Sequence, residues 1–408
     1  MTIEIPYFKQ TWLSNPDAAG AAPYSERQRA VLSLERSRAA RAEMESWPGY
    51  APTPLIKMDG LARCLGVRRV YYKDESKRFD LRSFKALGGA YAVLRLLKAE
   101  VARRKGLDSV TSRDLVDGVH ADVTKQITVC CATDGNHGRS VAWGARTFGC
   151  NCVIFIHESV SEGRKAAIEH YGARVDRVPG NYDDSIKHAD KTAREQDWFV
   201  VSDTSYPGYM EIPRDVMQGY TVLADEAAEQ LVGEAPSHVF LQGGVGGFAA
   251  AVISYFWERY GAERPTATVV EPDKAACILE TARAGTPTAV TGDLDTVMAG
   301  LACGEVSLLA WEILDQGADA FMAVSDDGVA AAMRALAAGV DGDPPVVSGE
   351  SGVPGLLGLV GALREPALAG ALDLGPESEV LLIGCEGDTD PELYREIVGC
   401  SGDEIRGT

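Results

Sequence analysis

The sequence predicts an α/β protein with open, mostly parallel sheets that are covered by helices on both faces. Continuous apolar runs alternate with longer helical segments, which is the pattern of strands buried on both sides. Loops rich in glycine or polar residues follow several of these runs, and parallel sheets bind ligands beyond the carboxyl ends of their strands. Strands are expected at residues 70–73, 128–132, 152–156, 198–202, 238–242, 267–271 and 379–384.

Helical segments separate the predicted strands. One helix face is indicated by residues that recur at steps of four, three and four: Leu87, Tyr91, Leu94 and Lys98. A second helix is predicted over residues 162–171, where the following Gly172 is typical of a helix C-terminus.

Three stretches lie outside this alternation. Residues 1–50 are rich in Arg, Ser and Ala, and we expect irregular chain and a helix that wrap the body. Residues 102–127 are polar and charged, which indicates a surface insertion. Residues 337–355 contain many Gly, Pro, Asp and Ser, which predicts an exposed loop.

Composition limits the classes of partner and the compartment. The chain has 408 residues, 46% of them hydrophobic, which is enough for a large core in two or three domains. Its net charge of −19 argues against nucleic acid and anionic membranes as partners. No leader and no apolar run of roughly 18 residues is found. The nine cysteines lack metal-site spacing, so we expect reduced thiols in the cytoplasm and no metal.

Lys85 lies between a predicted strand and a predicted helix. A lysine at such a corner can be held at the floor of a cleft. The nearby helix N-terminus disfavours its ammonium form and leaves more free amine to attack a carbonyl. Most lysines are solvated surface charges, so this position indicates a nucleophile only in combination with the loops that follow it.

A glycine-rich loop follows the predicted strand at residues 238–242 and opens an alanine-rich helix. Missing side chains let an anion approach the backbone, and the helix N-terminus offers unpaired N–H donors. Four glycines in five residues favour a phosphate cradle over a simple tight turn. The loop matches neither a P-loop nor a clean dinucleotide fingerprint. The cradle residues are Gly243, Gly244, Val245, Gly246 and Gly247.

Two further loops follow predicted strands. In the first, Asn136 could bond a cofactor hydroxyl, and the flanking glycines leave the backbone open to a substrate carboxylate. The alternative is an Asx-type turn in which His137 is simply packed. In the second, Cys385 could meet a ring nitrogen without protonating it, and the alternative is an acidic loop end.

Taken in order, these segments resemble the pyridoxal-phosphate enzymes of fold type II, the tryptophan synthase β fold. The resemblance runs from about Thr53 to the C-terminus, and several motifs are similar to the diaminopropionate ammonia-lyase family in particular. Asp134 stands where serine and threonine dehydratases usually have serine. The motifs are residues 72–76, 83–85, 132–139, 202–204, 212–213, 217–220, 348–352 and 386–390.

The resemblance implies a fold, a cofactor and a reaction. Two sheets would hold pyridoxal 5'-phosphate between a large domain, 1–105 with 206–408, and a small domain, 106–205. The family eliminates the β-amino group of D- and L-2,3-diaminopropionate to give pyruvate and ammonia. Its members are usually homodimers, with a small amino acid as the partner molecule.

The resemblance also implies roles for single residues. Lys85 would bind the cofactor and act as base toward one enantiomer, Asp134 would act on the opposite face, and Asp203 would contact the distal amine or assist proton transfer. The glycine loop would bind phosphate, Asn136 the cofactor hydroxyl, and Cys385 would replace the usual Ser or Thr at the ring nitrogen. Substrate would contact Thr133, Asp134, Gly135, His137, Asp203 and Glu350.

Other functions fit part of the pattern. A serine or threonine dehydratase, another β-eliminating lyase and a β-replacement synthase could share the fold. A sensor that kept the fold without catalysis is disfavoured by the intact lysine, the phosphate loop and the two aspartates.

Overall fold

A computed structural model of the chain describes residues 3–133, 135–158, 160–180, 182–232 and 235–407, and of residues 182 and 183 the backbone alone. The strands are β1 (Gln10–Ser14), β2 (Leu55–Lys57), β3 (Arg69–Asp74), β4 (Thr128–Ala132), β5 (Asn151–His157), β6 (Arg174–Val178), β7 (Phe199–Val200), β8 (His238–Gln242), β9 (Thr266–Pro272), β10 (Ala320–Val324) and β11 (Glu379–Gly384).

The helices alternate with these strands. They are α1 (Glu26–Val31), α2 (Leu34–Met44), α3 (Asp59–Leu65), α4 (Lys85–Lys105), α5 (Ser112–Val116), α6 (Ala121–Thr124), α7 (Asn136–Phe148), α8 (Glu162–Glu169), α9 (Tyr182–Gln196), α10 (Glu211–Gln230), α11 (Gly247–Tyr260), α12 (Cys277–Ala284), α13 (Leu308–Gly317), α14 (Val329–Ala338), α15 (Pro354–Arg364), α16 (Pro366–Leu372), α17 (Pro391–Val398) and α18 (Gly402–Arg406). Within the described ranges, no single helix is long and apolar enough to cross a membrane, whereas α15 and α16, bent by 107°, pass that test only as a pair.

The chain forms two compact units. The larger unit comprises Met1–Leu34, Pro52–Phe84 and Leu223–Thr408, and the smaller unit comprises Glu35–Ala51 and Lys85–Val222. These boundaries differ from the predicted domains because α4 packs closely on α7: a Cβ at Gly144 would lie 2.7 Å from the Ala90 backbone. The division at residues 105 and 206 stays a prediction.

The larger unit contains a sheet in the order β1-β10-β9-β8-β11-β3-β2. Its inner strands are parallel, and β1 and β2 join the two edges in antiparallel orientation. Helix α15 packs on one face at close range, since a Cβ at Gly355 would lie 2.7 Å from the Phe240 carbonyl oxygen. The neighbouring parallel strands β8 and β11 therefore send their following loops to the same sheet edge.

Two predictions about this unit are wrong. The first 50 residues contain a strand as well as helices, because Gln10–Ser14 pairs with β10 along its whole length. The predicted exposed loop within 337–355 is buried from Val346 to Val353. Its backbone is held inside by partners distant in sequence: the Gly349 amide donates to the Glu386 carbonyl oxygen at 3.0 Å.

The smaller unit contains the parallel sheet β6-β5-β4-β7. Cys130, Val153 and Phe155 face α9 in one apolar cluster. On the other face α7 covers the strands, with Gly138 placed against Thr133 and Ile154. Helices on both faces confirm the predicted α/β class. Because β4 and β7 are neighbours, the loops after them leave the same edge of the sheet.

Candidate active site

Lys85 and Asp203 form an ion pair in the smaller unit. Lys85 is the first residue of α4, and its Nζ donates to Asp203 Oδ2 at 2.6 Å. The side chains are 20% and 19% exposed, so solvent and small molecules can reach the pair. The sequence singled out both residues, and the structure brings them together across 118 positions.

The charge of Asp203 depends on its neighbours. Burial alone raises the pKa of its carboxyl, but the Lys85 ammonium and His137 more than offset this effect. The pKa of Asp203 therefore lies well below its ordinary value of 3.8, and the residue is an anion at neutral pH.

His137 lies behind Asp203, in the first turn of α7. Its Nε2 is 2.8 Å from the Val201 carbonyl oxygen, which can only accept, so the ring proton resides on Nε2. Its Nδ1 lies 3.8 Å from Asp203 Oδ2 and, within the part of the chain that is described, has no hydrogen-bond partner. Burial lowers the pKa of His137, so Nδ1 presents a lone pair.

Tyr209 holds the loop that carries Asp203. Its hydroxyl accepts from the Ser202 amide at 2.9 Å and donates to the Val200 carbonyl oxygen at 2.9 Å. The Thr204 amide also donates to Ser202 Oγ at 3.2 Å. The amides before and after Asp203 thus both donate hydrogen bonds, which limits the freedom of its carboxylate. Sequence reasoning assigned no role to Tyr209.

Tyr220 is a second aromatic residue that sequence reasoning did not place in the site. It is buried, and its ring centroid lies 5.7 Å from Lys85 Nζ, within the range of a cation–π interaction. The ring packs against Gly88, one turn along α4, where any Cβ would collide with it. The sequence feature that could have identified Tyr220 is its position in the motif of residues 217–220.

The loop after β4 is only partly described. Thr133 Oγ1 accepts from the Gly135 amide at 3.3 Å, and Asn136 begins α7. Apart from its two chain neighbours, no described residue has an atom within 4 Å of a Cβ built at Gly135, so the backbone is open there. Asp134, the predicted second base, lies outside the described residues.

The glycine loop of the larger unit requires two of its glycines. Gly244 and Gly246 have φ values of +65° and +90°, a region that side chains disfavour. At Gly246 a Cβ would also lie 2.9 Å from Leu314 and 3.1 Å from Ala310. The predicted strand–loop–helix context is confirmed by β8 and α11.

The loop presents backbone N–H groups. Within the described ranges, three backbone amides of the loop donate no hydrogen bond. They belong to Gly244, Val245 and Gly247, the first residue of α11. The loop is held by other groups: the Gly243 amide donates to Val270 and the Val245 carbonyl oxygen accepts from Ser307, each at 2.9 Å. Converging donors at a helix N-terminus suit a phosphate.

Glu271 lies against this loop. A Cβ at Gly243 would be 2.5 Å from its side chain, and its carboxyl accepts from the Ile278 and Leu279 amides at 2.9 and 2.8 Å. Burial raises the pKa of Glu271 to about 8, despite the two amides that lower it. Near neutral pH the carboxyl is therefore mostly uncharged and does not repel an anion in the loop. Sequence reasoning missed this residue.

Cys385 follows β11, the neighbour of the strand that carries the glycine loop. Its thiol is buried and lies 3.2 Å from the Ser351 carbonyl oxygen, to which it donates. Gln242 ties these loops together through bonds to the Ile383 and Gly352 carbonyl oxygens at 2.7 and 2.9 Å. Glu350, a predicted substrate contact, is buried in the same loop as Ser351.

Another lysine, Lys73, lies in the larger unit and belongs to a buried network of ion pairs. Lys73 Nζ donates to Glu226, to the Thr53 carbonyl oxygen and to Gln230, at 2.8, 2.8 and 2.9 Å. Arg78 bonds the carboxylates of Glu75 and Glu226, also at 2.8 Å. These charged side chains are at most 1% exposed.

The chain is similar to known proteins over most of its length. The family model described as pyridoxal-phosphate dependent enzyme matches residues 46–383. Diaminopropionate ammonia-lyase of Escherichia coli (strain K12) is 41% identical over 374 residues, which are 90% of this chain and 92% of that protein. The enzyme of that name from Salmonella typhimurium is 40% identical, over 86% and 89% of the two chains.

The fold is similar as well. A crystal structure of holo diaminopropionate ammonia lyase from Escherichia coli has a TM-score of 0.87 and 38% identity, and the likeness covers 97% of this chain and 98% of that one. The expected fold type II architecture is confirmed by this likeness.

Proposed function

We propose, since the chain belongs to the diaminopropionate ammonia-lyase family of pyridoxal-phosphate dependent enzymes, that it eliminates the β-amino group of 2,3-diaminopropionate. One molecule of substrate and one of water give pyruvate and two molecules of ammonia. The observation that carries this proposal is the Lys85–Asp203 pair: an amine and an anionic carboxylate, 2.6 Å apart, at the open edge of a sheet.

The residues present fit pyridoxal 5'-phosphate. The donor-rich loop at Gly243–Gly247, with an uncharged Glu271 beside it, suits a phosphate. Lys85 would hold the aldehyde carbon, Asn136 the ring hydroxyl, and Cys385 would face the ring nitrogen with a neutral thiol. When bound, this cofactor accepts the electron pair released as the Cα–H bond breaks.

Lys85 is proposed to take the Cα proton on one face of the substrate. A base must be unprotonated: the N-terminal end of α4 disfavours the ammonium form of Lys85, whereas the Asp203 carboxylate favours it until another cation pairs with that carboxylate. Asp134 is proposed as the base for the other enantiomer, a role that comes from the family resemblance. Thr133, Gly135 and His137 would border the bound amino acid.

Asp203 is proposed to hold the distal amine in its protonated form, in which it leaves best. The Lys85 ammonium offsets burial and lowers the pKa of this carboxyl, so the carboxylate loses the cation that keeps it charged whenever Lys85 becomes neutral. A β-ammonium supplies that charge and a β-hydroxyl does not. A partly buried carboxylate that is left without a cation is destabilised, which favours diaminopropionate over serine.

The test is to incubate the purified enzyme with each enantiomer of diaminopropionate and measure ammonia and pyruvate together. We expect two ammonia molecules per pyruvate, and slower release from serine and threonine, where the ratio to keto acid is one. Faster turnover of serine would identify a dehydratase instead. Consumption of a second nucleophile with little pyruvate would identify a β-replacement synthase.

The roles of the two bases can be separated by Asp134→Asn. We expect turnover of the D enantiomer to fall by about 10²-fold, the usual contribution of a general base, and that of the L enantiomer by much less. Equal losses on both enantiomers would contradict this division.

The protein is further proposed to act as a homodimer, as its family resemblance implies, and in the cytoplasm. Nine cysteines without metal-site spacing are consistent with a reducing compartment. Light scattering during gel filtration should give twice the mass of the 43.5 kDa chain.

A further inference from the structure

The Lys85 ammonium lies in surroundings that would suit any primary ammonium. Asp203 Oδ2 accepts from it at 2.6 Å, and the face of the Tyr220 ring lies 5.7 Å away. His137 Nδ1 approaches the same carboxylate oxygen at 3.8 Å, with a lone pair that no described residue uses. A carboxylate, an imidazole lone pair and an aromatic face thus converge on one place.

We propose that this place is the binding site for the distal ammonium of the substrate, and that His137 and Tyr220 complete it as specificity-determining residues. The inference rests on the proposed function and deepens it. It assigns an atom to each partner: Oδ2 of Asp203 for the charge, Nδ1 of His137 for one N–H bond, and the ring of Tyr220 for the remaining positive face.

The exchange of one ammonium for another follows from charge balance. Lys85 must give up its positive charge to bind the cofactor or to act as a base, and the Asp203 carboxylate then lacks its cation. The β-ammonium of diaminopropionate restores that cation at the same position. A hydroxyl carries no charge and has a single proton, so it leaves either Asp203 or His137 unsatisfied.

The surrounding structure fixes each partner. The hydrogen bond from His137 Nε2 to the Val201 carbonyl oxygen orients the ring so that Nδ1 faces Asp203. Gly88 allows the Tyr220 ring to lie beside the first turn of α4, because any Cβ there would meet the ring. Tyr209 holds the backbone that leads into Asp203, through Val200 and Ser202.

Two matched substitutions test His137. The side-chain amide of asparagine reaches the position of Nδ1, whereas that of glutamine reaches the position of Nε2. His137→Asn can therefore keep an acceptor at the Nδ1 position, and His137→Gln loses it. We expect His137→Gln to lower the ratio of kcat/KM for diaminopropionate to that for serine by about 10-fold, typical of a lost bond to a charged group. His137→Asn should keep the ratio within about 3-fold. His170→Gln, at an exposed histidine, is the control.

Two substitutions test the ring of Tyr220. Tyr220→Phe keeps the aromatic face, and Tyr220→Leu removes it. We expect Tyr220→Leu to lower the same selectivity ratio by about 5-fold, as a lost cation–π contact would, and Tyr220→Phe to keep it within about 2-fold. Tyr7→Leu, at a tyrosine that is 85% exposed, is the control.

An equilibrium measurement separates binding from turnover. In 2,4-diaminobutyrate the second amine is one carbon further out, so no β-amino group can leave, and homoserine carries a hydroxyl at that carbon. Titration of the holoenzyme with each, followed by the absorption band of the bound cofactor, gives two Kd values. We expect His137→Gln and Tyr220→Leu to reduce the preference for diaminobutyrate and the two conservative variants to retain it.

The outcomes distinguish this inference from the proposed function. If the wild-type enzyme releases no pyruvate from diaminopropionate, the proposed function fails, and the Kd ratios still test the ammonium site. If His137→Gln and Tyr220→Leu weaken both ligands and both substrates by equal factors, the two residues are only structural and the inference is overturned.

Discussion

Lys85–Asp203 and Lys73–Glu226 are two lysine–carboxylate pairs of similar length, at 2.6 and 2.8 Å, in very different surroundings. The first is about one-fifth exposed, whereas the second is fully buried in a network with Arg78 and Glu75. Lys73 uses all three of its N–H groups on fixed acceptors. An ammonium that is saturated in this way has no N–H group left for a substrate, so Lys73 has a structural role, whereas Lys85 is the lysine proposed to react.

The comparison also bears on how Lys85 is presented. Arg78 of the buried network is followed by Phe79, Asp80 and Arg82, each with a φ between +48° and +58°. Such conformations cost of order 1–3 kcal/mol each and persist only where the surroundings enforce them. The buried network therefore anchors, through Arg78, the start of the segment that leads to Lys85.

The largest expected effect is on catalysis. Lys85→Met should lower kcat by about 10³-fold or more, because it removes the proposed base and the cofactor attachment. The free energy of unfolding should change little, since partly exposed pairs contribute at most about 1 kcal/mol. Pyruvate release, the cofactor absorption band and urea unfolding measure these effects. Lys105→Met, at an exposed lysine, is the control, and turnover retained by Lys85→Met would contradict the assignment.

The next effect is on stability. Glu226→Ala should lower the free energy of unfolding by about 3–5 kcal/mol, because Lys73 and Arg78 would keep buried charges without their shared partner. Asp203→Ala, the matched change in the other pair, should cost about 1 kcal/mol or less. Urea unfolding of both variants measures the two losses. Equal losses of unfolding free energy would contradict the distinction between a buried and a partly exposed pair.

The two pairs should also differ in their response to acid. Arg78 and Lys73 more than offset burial and lower the pKa of Glu226 below its ordinary 4.5, and the pKa of Asp203 is lowered below 3.8. A lowered carboxyl pKa stabilises the fold above the unfolded value, and this stability is lost as the pH falls below it. Because water screens the one-fifth-exposed Lys85–Asp203 pair, unfolding measured from pH 6 to pH 2 should lose more of its acid dependence in Glu226→Gln than in Asp203→Asn. The reverse order would contradict the ranking by burial.

The smallest expected effect concerns the loop that holds Asp203. Tyr209→Phe removes an acceptor for the Ser202 amide and a donor to Val200, and kcat/KM for diaminopropionate should fall by about 5-fold. Tyr206→Phe is the matched control, because Tyr206 stacks on Tyr209 with centroids 5.0 Å apart but is half exposed. Steady-state kinetics on both variants measure the effect. Equal losses would mean that the effect is not specific to the Tyr209 hydroxyl.

Local patterns predicted a large part of the fold. The strands β4, β8 and β11 were recognised because a continuous apolar run is visible in a few neighbouring residues. Gly172 has a φ of +87° just after α8, as a helix C-terminus predicts. The run at 198–202 was predicted longer than β7, and β6 and β10 were not predicted.

Only part of the site could be found in the same way. Lys85, Asn136 and the glycine loop are marked by local motifs. Tyr209 and Glu271 are not, because their significance lies in what they contact. Tyr220 ends the motif of residues 217–220, but only its contact with Lys85 gives it a role. The buried loop at 346–353 looked exposed for the same reason: its composition is that of a surface turn, and its partners follow a different strand.

The amino-acid sequence by itself determined the α/β class, the loop that suits a phosphate and the lysine proposed to bind the cofactor, because each depends on residues within about ten positions. Tertiary structure alone decided the partner and the exposure of each lysine. Lys73 meets Glu226 across 153 positions and Lys85 meets Asp203 across 118, and burial around each pair sets whether its ammonium is enclosed or accessible. Solvation depends on the whole chain, so no local pattern could predict it for either pair.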